Sequence, residues 1–361
     1  MNRSAKVVLL TVSILLMVGV VMIYSSSAVY AHNTFGDSLY FVKRHLFFLL
    51  IGLTAAVFFM VVPSEFIREH ARLIMLGALV LLIAVLIPGI GTRAGGAQRW
   101  IRIPGLGIQP SEIAKLAVII YLADFTARKR YLMFDLKLGF LPAFLVVCLT
   151  MGLIVMEPDL GTTVAVGFIG SVILFASGAR FVHLGSVIAG AIPLLWLAII
   201  IAPYRLKRIL VFISPWADPK GTGFQLIQSF IALGSGGIMG VGLGGSKQKL
   251  FYLPNSHTDF IYSIIGEELG FLGATAVLVL FAVLIWYSLS VSLKLKELFM
   301  SRVVLGISVM MAFEVIVNIG VSLGALPTKG LPLPFISYGG SSLVVHLAAM
   351  GLLLNISRRA E

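Results

Sequence analysis

Leu253-Pro-Asn-Ser-His257-Thr258-Asp259-Phe260-Ile-Tyr-Ser-Ile264-Ile-Gly-Glu267-Glu268-Leu-Gly270 runs from a polar segment straight into an apolar stretch that reaches about residue 289. An aspartate and two glutamates therefore stand at the mouth of a helix apolar enough to cross a membrane. Each would cost roughly 2.5–3.5 kcal/mol at the bilayer centre, so this helix has to start at an interface or a wet cavity. Just upstream lies Gly234-Ser-Gly-Gly-Ile-Met-Gly-Val-Gly-Leu-Gly-Gly-Ser-Lys-Gln-Lys249, a tract too rich in glycine for a regular helix. The stretch 203–258 reads as one long polar loop between two spans.

Outward from this stretch the chain stays hydrophobic. Its 361 residues are 59% hydrophobic and 12% charged, with a mean hydropathy of +1.04. No soluble domain of this length hides so much apolar surface. Apolar windows fall at 8–31, 43–63, 72–90, 111–127, 138–156, 161–178, 183–202, 259–289, 302–325 and 340–357. They predict an all-α integral membrane protein, a single polytopic domain over 1–361 with about ten transmembrane helices. The long loop, extracytoplasmic, separates the seventh helix from the eighth. The first window is too long for the core of a signal peptide and reads as an uncleaved span. An even number of spans puts both termini on one side. Basic short connections at 68–72, 128–130 and 294–302 make that side the cytoplasm.

Lys and Arg outnumber Asp and Glu 27 to 15, a net charge of +12. The cations are scattered among spans, which excludes a nucleic-acid-binding domain. Arg93, Arg99, Arg102, Lys115, Arg208, Lys249 and Lys329 fall on the outer side, against the usual bias. A polyanionic lipid headgroup is the simplest reason for them. Lys115 also follows Glu112 at i+3, where the two can pair on one helix face. Trp100, beside Arg99, has the character of an interfacial anchor. Asp159 is placed to cap the next helix, and Glu314 with Asn318 to face the bundle interior. The proline-rich run 324–342, which contains Ser337, predicts irregular backbone against a cavity.

Familiar chemistries drop out. The glycine tract lacks a Gly-Lys-Ser/Thr ending, so it is no P-loop. His257 has no second ligand at zinc spacing, and Cys148 is the sole cysteine, which rules out a disulfide framework. Asp259 remains, an acid at a helix mouth among outward cations. It suits a general base acting on a phosphate-bearing substrate, and the same residues would serve a lipid transporter equally well.

Several long motifs then carry a resemblance. They are Gly96-Ala-Gln-Arg-Trp100-Ile, Gln109-Pro-Ser-Glu112-Ile-Ala-Lys115, Glu157-Pro-Asp-Leu-Gly161-Thr, Pro215-Trp-Ala-Asp218-Pro, Leu253-Pro-Asn-Ser-His257-Thr-Asp259-Phe-Ile and Pro332-Leu-Pro-Phe-Ile-Ser-Tyr338-Gly-Gly-Ser-Ser342. Nearly the whole chain resembles the SEDS family of cell-wall proteins, FtsW and RodA. Gly242–Leu250 and Leu326–Pro332 lean towards the FtsW, or division, branch. The resemblance implies a peptidoglycan glycosyltransferase that polymerises lipid II, an undecaprenyl-pyrophosphate-linked sugar. It implies a class B penicillin-binding protein (a transpeptidase) and other divisome membrane proteins as partners. It marks Asp259 as the catalytic residue. Arg93, Arg99, Trp100, Arg102, Lys115, Lys249, His257, Glu267, Lys329 and Ser337 are the candidate substrate-binding residues. Some relatives carry a basic residue where this chain has Gly107, so that role is absent or passes to Arg102. A lipid II flippase and a non-catalytic scaffold for the penicillin-binding partner are the rival readings. No protein metal site is expected; a divalent cation, Mg or Mn, is the one cofactor that would assist.

Overall fold

The computed structural model describes residues 3–94, 97–103, 106–200 and 203–359. Each of the ten apolar windows forms a helix. These are α1 (Arg3–Phe35), α2 (Tyr40–Val61), α4 (Ala71–Leu86), α5 (Pro110–Arg128), α6 (Leu141–Met156), α7 (Leu160–Ala176), α8 (Phe181–Ile200), α11 (Ile261–Lys294), α12 (Leu298–Ser322) and α13 (Gly340–Ser357). A short α3 (Ser64–Glu69) leads into α4. Among the described residues six helices are long and apolar enough to cross a membrane, namely α1, α2, α6 with its preceding turn, α11, α12 and α13. The chain is an all-α multi-pass membrane protein.

The stretch expected as one long loop contains two helices, α9 (Pro203–Ile213) and α10 (Phe224–Ser235). The backbone groups of such a segment need partners near a membrane, and a helix supplies them within the segment. A second unforeseen feature is a small antiparallel sheet of β1 (Gly91–Ala94), β2 (Ala97–Ile103) and β3 (Leu106–Ile108), in the order β1-β2-β3. Gln98 ties it down, its side-chain amide donating to the Val85 carbonyl at 3.0 Å. That carbonyl belongs to the last turn of α4, which has no intrahelical donor for it.

Helix ends carry the signals their sequences promise. Pro110 opens α5 with Glu112 in its first turn. Asp159 caps α7, accepting from the Thr162 backbone N–H at 3.1 Å. At the heart of the bundle, α5, α12 and α13 are buried on most of their faces. Between α2 and α13, small residues let backbones approach: a Cβ added at Gly351 would lie 2.1 Å from the Ala56 carbonyl oxygen.

The long helix α11 is broken. Gly270 has φ +67° and ψ −168°, outside helical geometry, and the break strands carbonyls on one side and amides on the other. The glycine tract satisfies them. Val241 and Gly242 donate to the carbonyls of Glu267 and Glu268 at 3.0 Å each, while Phe271 donates to Gly237 O at 2.8 Å. Contact this close needs glycine on both sides, because a Cβ on Gly270 would sit 2.3 Å from Gly240 N. The tract is a backbone plug for a broken helix.

Candidate functional site

At the end of the bundle that holds the sheet and the glycine tract lies a cavity of about 610 Å³. Its wall includes Arg99 and Trp100 from β2, Asp159 at the start of α7, Arg208 from α9, Asp259 before α11, Lys329, and Tyr338 and Ser342 around the start of α13. Parts of the chain far apart in sequence therefore build one site. The proline-rich run forms a wall of it, irregular backbone where the surroundings supply hydrogen-bond partners.

Asp259 is pinned through its backbone. Its carbonyl accepts from Asn318 Nδ2 at 3.1 Å, and Asn318 also donates to Leu331 O at 2.8 Å. One residue back, Thr258 O accepts from Ser337 Oγ at 2.6 Å; two back, His257 O accepts from Tyr338 N at 2.9 Å. The carboxylate itself has room because Gly330 faces it: a Cβ there would come within 3.0 Å of Asp259 Oδ2. Burial pushes the Asp259 carboxyl up to about 6, with Arg208 and Arg99 opposing the rise. That value keeps it ionised at neutral pH yet basic enough to take a proton.

Arg99 stands 3.6 Å from Asp159 Oδ2. Asp159 also accepts from Thr162 Oγ1 at 3.0 Å and from Gln109 Nε2 at 3.4 Å. Burial lowers the Lys329 ammonium, and Asp159 opposes that shift. Beneath the same turn Glu157 is fully buried with neither carboxylate oxygen hydrogen-bonded. Burial, reinforced by Asp159, pushes it up to about 8.

Beside the cavity lies a second space of about 540 Å³ that shares Val164, Pro327 and Lys329 with it as lining residues. This cleft runs between α7, through Val164, Phe168 and Val172, and α12, through Val309, Phe313 and Ile316. Phe168 and Ile316 are exposed on the bundle's outer surface, so the cleft opens sideways.

Of the residues singled out in the sequence, Asp259, Arg99, Trp100 and Lys329 meet at the cavity. His257 and Ser337 lie behind Asp259. The His257 ring packs 4.5 Å from Phe41 and 5.9 Å from Tyr338, and burial lowers it to about 4, so it is neutral packing. Arg93 and Arg102 lie in the sheet, in register with Gln98 and Gly107, and do not line the cavity.

Three further candidates stand in buried networks and do not line the cavity. Lys115 is buried between Glu112, at 3.0 Å, and Glu314. Lys249 pairs with Glu268 at 2.7 Å and donates to Ser25 Oγ at 3.0 Å. Glu267 accepts from Ser246 Oγ and from Lys247 N at 2.9 Å. The two glutamates thus staple the glycine tract onto the broken helix. From the sequence Arg208 is only one of the outward cations, and Ser342 has no role of its own. Arg208 carried a signal, a basic cluster on the short helix α9; Ser342 carried none beyond its motif.

A family model described as "Cell cycle protein" (FTSW_RODA_SPOVE) matches residues 5–361. A "Probable peptidoglycan glycosyltransferase FtsW" from Geobacter metallireducens is 43% identical over all of this chain and 96% of its own length. "Stage V sporulation protein E" from Bacillus subtilis is 45% identical over 99% of this chain and 98% of its own. Among solved structures, a chain from work described as "Structural coordination of polymerization and crosslinking by a peptidoglycan synthase complex" superposes with a TM-score of 0.80 at 29% identity. It covers 98% of this chain and 97% of its own. The rod shape determining protein RodA of Thermus thermophilus superposes with a TM-score of 0.71 at 26% identity, over 98% and 97% of the two chains.

Proposed function

Because the chain belongs to the FtsW, RodA and SpoVE family of cell cycle proteins, we propose that it is a peptidoglycan glycosyltransferase. It polymerises lipid II at the outer face of the bacterial cytoplasmic membrane during division. One observation carries this reading: a cation-lined cavity with a desolvated carboxylate adjoins an apolar cleft between two helices, Val164, Pro327 and Lys329 lining both. Lipid II has the matching parts, a saccharide, a pyrophosphate and a polyprenyl chain.

Asp259 accepts the proton of the 4-hydroxyl of N-acetylglucosamine on one lipid II. That oxygen attacks the anomeric carbon of a second sugar, which is linked through pyrophosphate to its lipid. The bond to pyrophosphate breaks as the new one forms, so an α linkage becomes β-1,4 and no covalent enzyme intermediate arises. The electron pair leaves with the lipid pyrophosphate. Arg99, Arg208 and Lys329, fixed around the cavity, stabilise that charge where it develops. Among the described residues no three His, Cys, Asp or Glu side chains come together as a metal cage. A divalent cation would therefore arrive with the pyrophosphate.

Both termini face the cytoplasm in this reading, which sets the cavity at the outer surface. The partner is a class B penicillin-binding protein that crosslinks the new strands, with other divisome membrane proteins around the pair. The likeness to a chain of a peptidoglycan synthase complex supports this.

The test uses purified protein with its partner and lipid II in detergent, where no transport across a membrane is needed. Asp259→Asn keeps the shape and loses the basicity, so polymerisation should fall by about 10²-fold or more with lipid II still bound. A mutant polymerising at the wild-type rate would remove Asp259 from the chemistry and leave transport or scaffolding as the better account.

A further inference from the structure

Behind the cavity a run of polar groups passes from α13 through α12 to α5, and the reaction above makes no use of it. Ser342 lines the cavity. One helical turn on, His346 is fully buried. Its Nδ1 is 2.6 Å from the Ser342 carbonyl oxygen and 3.2 Å from Ser342 Oγ. Its Nε2 is 2.6 Å from Glu314 Oε2. The other oxygen of Glu314 accepts from Lys115 Nζ, which pairs in turn with Glu112 at 3.0 Å.

Where the hydrogens sit follows from what each partner can do. A carbonyl oxygen only accepts, so Nδ1 carries a hydrogen. Ser342 Oγ therefore accepts at that same N–H, and its own hydrogen has to point elsewhere. On the far side Glu314 Oε2 lies 2.6 Å from Nε2 as a charge contact without hydrogen-bond alignment, and Lys115 holds the other oxygen of Glu314. Turning the ring over would take the N–H away from the Ser342 carbonyl oxygen, and leaving a buried polar group unpartnered is costly. The imidazole is a fixed backstop for the serine. The order Ser–His–Glu resembles a hydrolase triad, but the hydrogen runs from histidine to serine. Ser342 is not deprotonated and forms no covalent bond.

We propose that His346 is a positioning residue that makes Ser342 a hydrogen-bond donor to a pyrophosphate oxygen of the lipid-linked substrate. This rests on the polymerase reading. The hydroxyl shares its cavity with Arg99, Arg208 and Lys329, whose charge favours a phosphate oxygen there as the acceptor. Hydrogen bonds to charged groups are the stronger kind.

The experiment compares Ser342→Ala, His346→Gln and the double variant, each with the penicillin-binding partner. It follows glycan synthesis from lipid II, binding of undecaprenyl pyrophosphate, and thermal melting. Ser342→Ala should lose on the order of tenfold in both synthesis and undecaprenyl pyrophosphate binding, the scale of one hydrogen bond to a charged group, with melting unchanged. His346→Gln should lose most of the same. If histidine acts through serine, the double variant falls no further than Ser342→Ala alone.

Wild-type synthesis by Ser342→Ala would overturn the proposal. So would a double loss equal to the product of the single losses, or slowed synthesis with undecaprenyl pyrophosphate bound as before, which would place the hydroxyl on a sugar. Should His346→Gln fail to fold, Ser342→Ala decides, with Ser342→Thr expected to retain both activities. Wild-type protein that makes no glycan would sink the polymerase reading, and the pyrophosphate-binding arm would still judge Ser342.

Discussion

Asp259 is asked to be charged in a place that resists charge, and the consequences for activity and stability have opposite signs. In its proposed role as general base Asp259 must be ionised, so polymerisation should fall as pH drops through about 6. Stability runs the other way. The folded state binds this proton more tightly than the unfolded chain does, so stability is fullest below the ordinary value of 3.8 and is lost as pH rises through about 6. At neutral pH the ionised group costs up to roughly 3 kcal/mol, less whatever cavity water screens. Asp259→Asn should therefore melt at a higher temperature than wild type at pH 7.5 while making little glycan; a lower melting temperature would contradict the burial argument. Glu157 obeys the same rule without a chemical role. Both its oxygens lack partners and its carboxyl titrates near 8, so it is protonated at neutral pH. Glu157→Gln mimics that form. Its melting advantage should widen from pH 5 to pH 8, and a constant difference would mean that Glu157 does not titrate there.

Among the elements, α11 and the glycine tract depend on each other. Asp259 lines the cavity just before α11 begins, the break at Gly270 follows the first turns, and the rest of the helix continues through the bundle. A break without partners would leave four backbone groups unsatisfied. Gly270→Ala meets two obstacles, a positive φ that alanine resists and a contact 2.3 Å from Gly240 N. It should cost at least about 2 kcal/mol, from strain and lost hydrogen bonds together, and should speed proteolysis within 236–250. Unchanged melting and proteolysis would show that the tract is not docked on the break. Gly234→Ala, which has open space around it, is the control.

For the whole molecule the main question is orientation. The cavity, the sheet and the glycine tract share one end of the bundle, and polymerisation requires that end to face outward. Lys247 and Arg358 are both exposed, near opposite ends of the bundle. In a Cys148→Ser background, Lys247→Cys should react with an impermeant thiol reagent on intact cells, and Arg358→Cys only after lysis. The reverse pattern would put Asp259 on the wrong side for wall synthesis.

The sequence by itself located the ten apolar helices, because an apolar run of sufficient length has no other stable arrangement in lipid. It also singled out Asp259, since an acid at a helix mouth among outward cations demands a reason. Proximity was beyond it. Lys115 and Lys329 look alike as outward cations, yet one is closed between Glu112 and Glu314 inside the bundle and the other lines the cavity. Their difference depends on which helix face meets which neighbour, a property of packing between segments some 200 residues apart. For the same reason the pairing of the glycine tract with Gly270, and of Ser342 with His346 and Glu314, was decided only by the tertiary structure. Glycine states that backbone needs space, and a buried histidine that it needs partners. Neither says what will fill the space or who the partners are.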